Sequence, residues 1–150
     1  MVRNRARSAR KPPRRASPME AELGDIAATT AANQEAPPAL VTVAKGMGDL
    51  DDLVRLLAKG LSRAKPWQLH LAAHLAEADR LMQVLRLTVA LDRSHTEIVE
   101  AAVDLHLACR RARQSLAGTR ADRTTVAAMQ LSADLAASIV HALQRFTSTR

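Results

Sequence analysis

Between Trp67 and Asp92 the chain reads WQLHLAAHLAEADRLMQVLRLTVALD, and this stretch sets the terms for everything around it. Leu71, Leu75, Ala78, Met82, Leu85 and Val89 recur at alternating steps of four and three, which keeps them on one side of an α-helix. A second apolar set, Leu69, Ala73, Ala76, Val84, Leu87 and Leu91, falls on roughly the opposite side at about 100° per residue. A helix with two apolar sides needs cover on both. The stretch is predicted to be the central element of a helical bundle, or a bundle helix whose second side meets another copy of the chain. The second set is accordingly assigned as an oligomer interface.

The flanking segments follow the same period. Leu50, Leu53, Val54, Leu57 and Leu61 make one face of a helix opened by Asp49, with Asp51 and Asp52 in a first turn where the helix dipole favours acids. Pro66 ends or sharply turns that helix and opens the central one. Ser94-His95-Thr96-Glu97 is a capping box. It is followed by Ile98, Ala102, Leu105, Cys109, Ala112 and Leu116 at four-three spacing, with Gly118 as the stop. A last helix starts near Asp122 or Thr124 and runs to about Phe146 on a seam of Ala128, Ser132, Leu135, Ile139, Ala142 and Phe146. Only 1% of residues are aromatic and none is Tyr, so the core must be aliphatic and Ala-rich, which favours helix over strand. The expected fold is all-α: an antiparallel helical bundle of three long helices plus one shorter helix, with a disordered basic N-terminal arm.

The expected organisation has three parts. Residues 1–16 form the arm. Residues 17–48 hold a short helix, capped by Ser17-Pro18-Met19-Glu20, and a linker marked by Pro37, Pro38, Gly46 and Gly48. Residues 49–150 form the bundle. No transmembrane span is expected, because the least charged long window, Thr124 to Gln144, still holds Asp134, His141 and several Gln, Thr and Ser residues. No secretory signal follows the basic start. The single cysteine, Cys109, excludes an internal disulfide and sits on a seam as a small buried thiol. An intracellular, reducing compartment is the expected setting.

Charge is distributed unevenly. Arg3, Arg5, Arg7, Arg10, Lys11, Arg14 and Arg15 put seven positive charges and no acid into the first 15 residues. Of 22 basic and 15 acidic residues in the chain, the remainder keeps 15 of each, so the net charge of +7 belongs to the arm. Such a segment is attracted to phosphates by counterion release, without reading bases. Its lack of aromatics removes base stacking. Arg14-Arg15-Ala16-Ser17-Pro18 also fits a basic-directed kinase pattern, and a phosphate on Ser17 would partly neutralise the arm.

Within the bundle, Lys59, Arg63, Lys65, Arg110, Arg111, Arg113, Arg120 and Arg123 are expected at one end. Asp49, Asp51, Asp52, Asp92, Glu97 and Glu100 are expected at the other. Complementing helix dipoles accounts for the acids. The basic end exceeds what capping requires, so Arg110, Arg111 and Arg113 join the arm as expected nucleic-acid-binding residues.

No catalytic motif, phosphate loop or dinucleotide fingerprint occurs, and no catalytic residue or cofactor is assigned. His70, His74 and Glu77 share one helical face. They lack the glutamate placement of a zinc hydrolase and the Glu-x-x-His partners of a bundle metal site, so no metal is expected there. The sequence thus points to a non-enzymatic, self-associating helical module holding nucleic acid non-specifically through its arm. The alternative is an adaptor, chaperone or regulator that docks another helical protein and uses the arm as an address or tail.

Overall fold

The computed structural model describes residues 38–147, within a compact unit that begins at Ala36. Four α-helices make up the described region: α1 (Pro38–Gly60), α2 (Pro66–Ala90), α3 (His95–Gln114) and α4 (Arg123–Thr147). Each packs on its neighbour in sequence, and α4 closes the ring against α1, with α1–α2 the sparsest seam. The starts of α1 and α3 and the ends of α2 and α4 line one shared cavity, so successive helices alternate in direction. The all-α expectation holds among the described residues. The arm, the short helix expected within 17–33 and Ser17 lie outside them.

α1 departs from the sequence reading. It starts at Pro38, eleven residues before Asp49, and residues 38–48, taken for linker, are helical. It is therefore not a shorter helix: at 23 residues it matches its partners. Leu40, Val43, Met47, Leu50, Val54, Leu57 and Leu61 continue one heptad pattern through the segment, and Val43, Met47, Leu50 and Val54 are buried. Gly46 and Gly48, which argued against helix, have different roles. A Cβ built on Gly46 would stand 3.2 Å from Ile139 Cγ1 of α4, so the glycine lets α1 and α4 approach closely. Gly48 is exposed and would meet nothing within 4 Å. Gly48→Ala is expected to raise stability by about 0.5–1 kcal/mol through helix propensity alone. At Gly46 the same change should gain little, because Ile139 must shift to admit the methyl. Paired urea melts of the two variants check this.

The acidic end is corrected for the same reason. Asp49, Asp51 and Asp52 lie near the middle of α1, and only Asp92, Glu97 and Glu100 remain at that end. Asp51 is buried, 6% exposed, and its Oδ2 takes Arg55 Nη2 at 3.2 Å and Arg86 Nη2 of α2 at 3.0 Å. It ties the sparsest seam of the bundle instead of serving a helix terminus.

The other helices follow their caps. Ser94 Oγ accepts the Glu97 amide at 3.3 Å while Glu97 Oε2 accepts the Ser94 amide at 3.0 Å. Asp122 caps α4, its Oδ2 accepting the Thr125 amide at 2.9 Å and its Oδ1 the Thr125 hydroxyl at 2.7 Å. The Ser94 hydroxyl, donating to Glu97 Oε2 at 2.8 Å, and then the Ser94 amide hold Glu97 below the usual carboxylate range, as the Thr125 hydroxyl and amide do Asp122. Their capping contribution is present at neutral pH and declines as pH falls below ordinary carboxylate values. α3 ends at Gln114, four residues before Gly118, which takes φ +73° in the following turn. α4 buries Met129, Ser132, Ala133, Ala136, Ile139, Val140, Ala142 and Leu143, a wider face than the single expected seam because it packs on both α1 and α3. Ala128, Leu135 and Phe146 of that seam are only half-buried. By length and composition alone α4 is apolar enough over Arg123–Phe146 to cross a membrane, a test that the core helix of a bundle also passes. In this bundle its apolar side forms core.

Candidate interaction surfaces

The two apolar sides of α2 separate cleanly. Leu71, Leu75, Ala78, Met82 and Leu85 are buried, each at most 1% exposed. Leu69, Leu87 and Leu91 on the other side are 53%, 59% and 64% exposed; Val84, Ala73 and Ala76 are also exposed. The bundle covers one side of α2 and leaves the other as an apolar strip interrupted at its midpoint by Arg80. Along its centre lies Arg80, whose Nη2 and Nε donate to Glu77 Oε1 and Oε2 at 2.7 and 2.9 Å in a bidentate fork. The fork lowers the Glu77 pKa and raises that of Arg80. Both carboxylate oxygens of Glu77 are thus engaged by Arg80. Among the described residues no group of three or more His, Cys, Asp and Glu side chains converges as metal ligands would.

A second surface was missed by the sequence reading. At the end of the bundle where α1 and α3 start, an apolar cavity of about 610 Å³ is lined by Leu40, Val43, Met47, Val89, Ile98 and Phe146, with Lys45 and His95 as its polar members. His95 Nε2 is buried there without a hydrogen-bond partner. Val89 continues the core seam of α2 but is 42% exposed because the cavity interrupts the packing. The signal was the heptad run through residues 40–47, hidden by reading that segment as linker.

The basic end is assembled from the end of α1, the α1–α2 turn, the end of α3, the α3–α4 connection and the start of α4. Gln68 Oε1 organises the α1–α2 turn, accepting Ser62 Oγ and the amides of Ala64 and Lys65 at 2.9–3.0 Å. Arg110 and Arg111 are exposed. Arg113 differs: it is half-buried, and its Nη1 donates to Gln130 Oε1 of α4 at 2.6 Å, while Gln130 Nε2 donates to Asp134 Oδ1 at 2.9 Å. Its guanidinium belongs first to the α3–α4 seam. Arg3, Arg5, Arg7, Arg10, Lys11, Arg14 and Arg15 lie outside the described residues.

Cys109 is 1% exposed, and burial pushes its thiol up to about 11 from an ordinary value of 9.0. A folded chain therefore keeps the thiol protonated where an unfolded one ionises it. Stability from this group is complete below pH 9 and is lost as pH rises toward 11. Thiol-specific reagents at pH 8 are expected to label Cys109 only on unfolding, measured as coincidence of labelling with the loss of helical signal.

No protein-family model, curated protein or solved structure matches the chain.

Proposed function

We propose that the chain is a non-enzymatic, self-associating helical module that holds polyanions such as nucleic acid through its Arg-rich N-terminal segment. The observation that carries the reading is the outer strip of α2, where three leucines more than half exposed lie in line with Val84, Ala73 and Ala76. Single exposed leucines are ordinary, but a strip along a whole helix marks an interface. The charge arithmetic supports the second half: all seven units of net charge lie in residues 1–15, where phosphate neutralisation asks for no folded surface. Light scattering of the full chain at micromolar concentration tests the first half, and a monomeric mass rejects it.

A second reading, an adaptor docking another protein's helix, is favoured by the apolar cavity at the end of the bundle. It gains if the full chain is monomeric and does not shift duplex DNA at low salt.

A further inference from the structure

The order of residues along the outer strip of α2 carries more than its hydrophobicity. Leu69, Ala73, Ala76, Arg80, Val84, Leu87 and Leu91 are symmetric about Arg80: Leu91 lies as far after it as Leu69 lies before, and Leu87 mirrors Ala73 as Val84 mirrors Ala76. Leu69, Arg80 and Leu91 are also spaced by eleven residues, as are Ala73 and Val84, and Ala76 and Leu87. Eleven residues make about three turns at 3.67 per turn, so the strip stays on one side of an almost straight helix for about 33 Å. The core seam on the other side alternates four and three throughout, whereas the exposed side has two steps of four meeting at Arg80, and that break is what makes its order symmetric.

We propose, resting on the self-association reading above, that α2 pairs with α2 of a second copy in antiparallel orientation, on a two-fold axis through Arg80. In that register Leu69 faces the partner's Leu91, Ala73 the partner's Leu87, and Ala76 the partner's Val84. In the two inner layers a larger side chain meets an alanine on both sides of the axis, and leucine meets leucine at each end. A parallel pair in register sets Ala73 and Ala76 on themselves and Leu87 and Leu91 on themselves, leaving a gap at one end and crowding at the other. Self-complementarity of one patch is what an isologous two-fold interface requires.

The charges fit the same axis. Two Arg80 side chains would repel at its centre if alone, but each already holds a carboxylate. Glu77 lies one turn from Arg80, and the axis brings it within about one turn, ~4.5 Å along the helix, of the partner's Arg80. The two arginines at the centre are then flanked by the two carboxylates, and no guanidinium is covered without a carboxylate beside it. The partner is a second copy because the mirrored order has meaning only against itself.

Paired cysteines test the register. In Ala76→Cys/Val84→Cys, residues 76 and 84 of one helix are about 12 Å apart and cannot bridge each other, whereas residue 76 and the partner's residue 84 face one another. Cys109 is buried and silent. Mild oxidation of the full-length double variant should give nearly complete covalent dimer, and each single variant at least about tenfold less. Glu77→Arg should weaken the dimer about fivefold, and Glu77→Arg/Arg80→Glu should restore it, since both are exposed pair members. A dimeric mass with single variants that bridge as well as the double, or with no bridging at all, overturns the register while self-association stands. A monomeric mass of the unmodified chain overturns both. Circular dichroism of each variant guards against misfolding, and the charge swap reads the same axis without cysteines.

Discussion

Leu87→Glu/Leu91→Glu is expected to reduce the assembly to monomers while the chain remains helical and melts cooperatively. Both side chains are already more than half exposed in the bundle, so the fold gives up little when they change. An interface gives up more. Covering the exposed part of a leucine is worth roughly 1–2 kcal/mol, and a two-fold interface loses four of them. That is about 4–8 kcal/mol, or at least ~10³-fold in Kd, before the cost of covering two carboxylates is added. One side effect is foreseeable: acids near the end of α2 oppose the helix dipole and cost about 0.3–1 kcal/mol of helix stability. Leu69→Glu controls for it, since an acid in the first turn is favoured by the dipole yet should still break the pairing. Leu105→Ala is the opposite control. That residue is 1% exposed, and its truncation should cost ~2–5 kcal/mol of folding stability. Light scattering and thermal melts on the same samples separate the outcomes, and a doubly substituted chain with unchanged mass would remove α2 from the interface.

Deleting residues 1–16 should abolish most binding to random duplex DNA, together with most of its salt dependence. With six or seven phosphates neutralised, log affinity of the full chain should fall against log salt with a slope of roughly −5 to −6, about a thousandfold between 50 and 200 mM. The remaining chain has 15 basic and 15 acidic residues and no net charge. What survives must come from the basic end of the bundle. Of the three bundle arginines assigned to nucleic acid, Arg113 is half-buried and bonded to Gln130, so Arg110 and Arg111 should together supply no more than roughly −2 of the residual slope. Arg110→Ala/Arg111→Ala in the truncated chain should flatten it further. Electrophoretic shifts across a salt series measure all of these. Equal affinity and slope with and without residues 1–16 would make the adaptor reading the better one.

Much of the local structure was legible in the residue order because its causes are local. The Ser94–Glu97 capping box, Pro66 at a helix start and the start of α4 beside Asp122 rest on side chains bonding backbone groups within three or four residues. The division of α2 into two apolar sides was equally readable, since helical periodicity depends only on spacing. All six residues assigned to the candidate interface lie exposed on one side of α2.

The start of α1 was misread because local and long-range preferences disagree there. Pro37, Pro38, Gly46 and Gly48 weaken a helix by backbone entropy and lost donors, and reading outward from them yields a linker. The heptad from Leu40 to Leu61 pointed the other way. It prevails because α4 lies alongside and covers Val43 and Met47, with Gly46 admitting Ile139 to the helix surface. The apolar cavity followed from that misreading, since Leu40, Val43 and Met47 form one of its walls.

By itself, then, the residue order determined the all-α class, the helix caps, the apolar sides of α2 and the concentration of net charge in the first 15 residues. Each of these depends on spacing, propensity or counting. Only the tertiary structure decided which side of α2 the bundle covers, that Asp51 is a buried tie to Arg86, that Arg113 is held by Gln130, and that α1 reaches back to Pro38. These depend on which helices stand next to one another. Adjacency in space is set by the packing of whole faces, which outweighs the ~1 kcal/mol preferences of single residues.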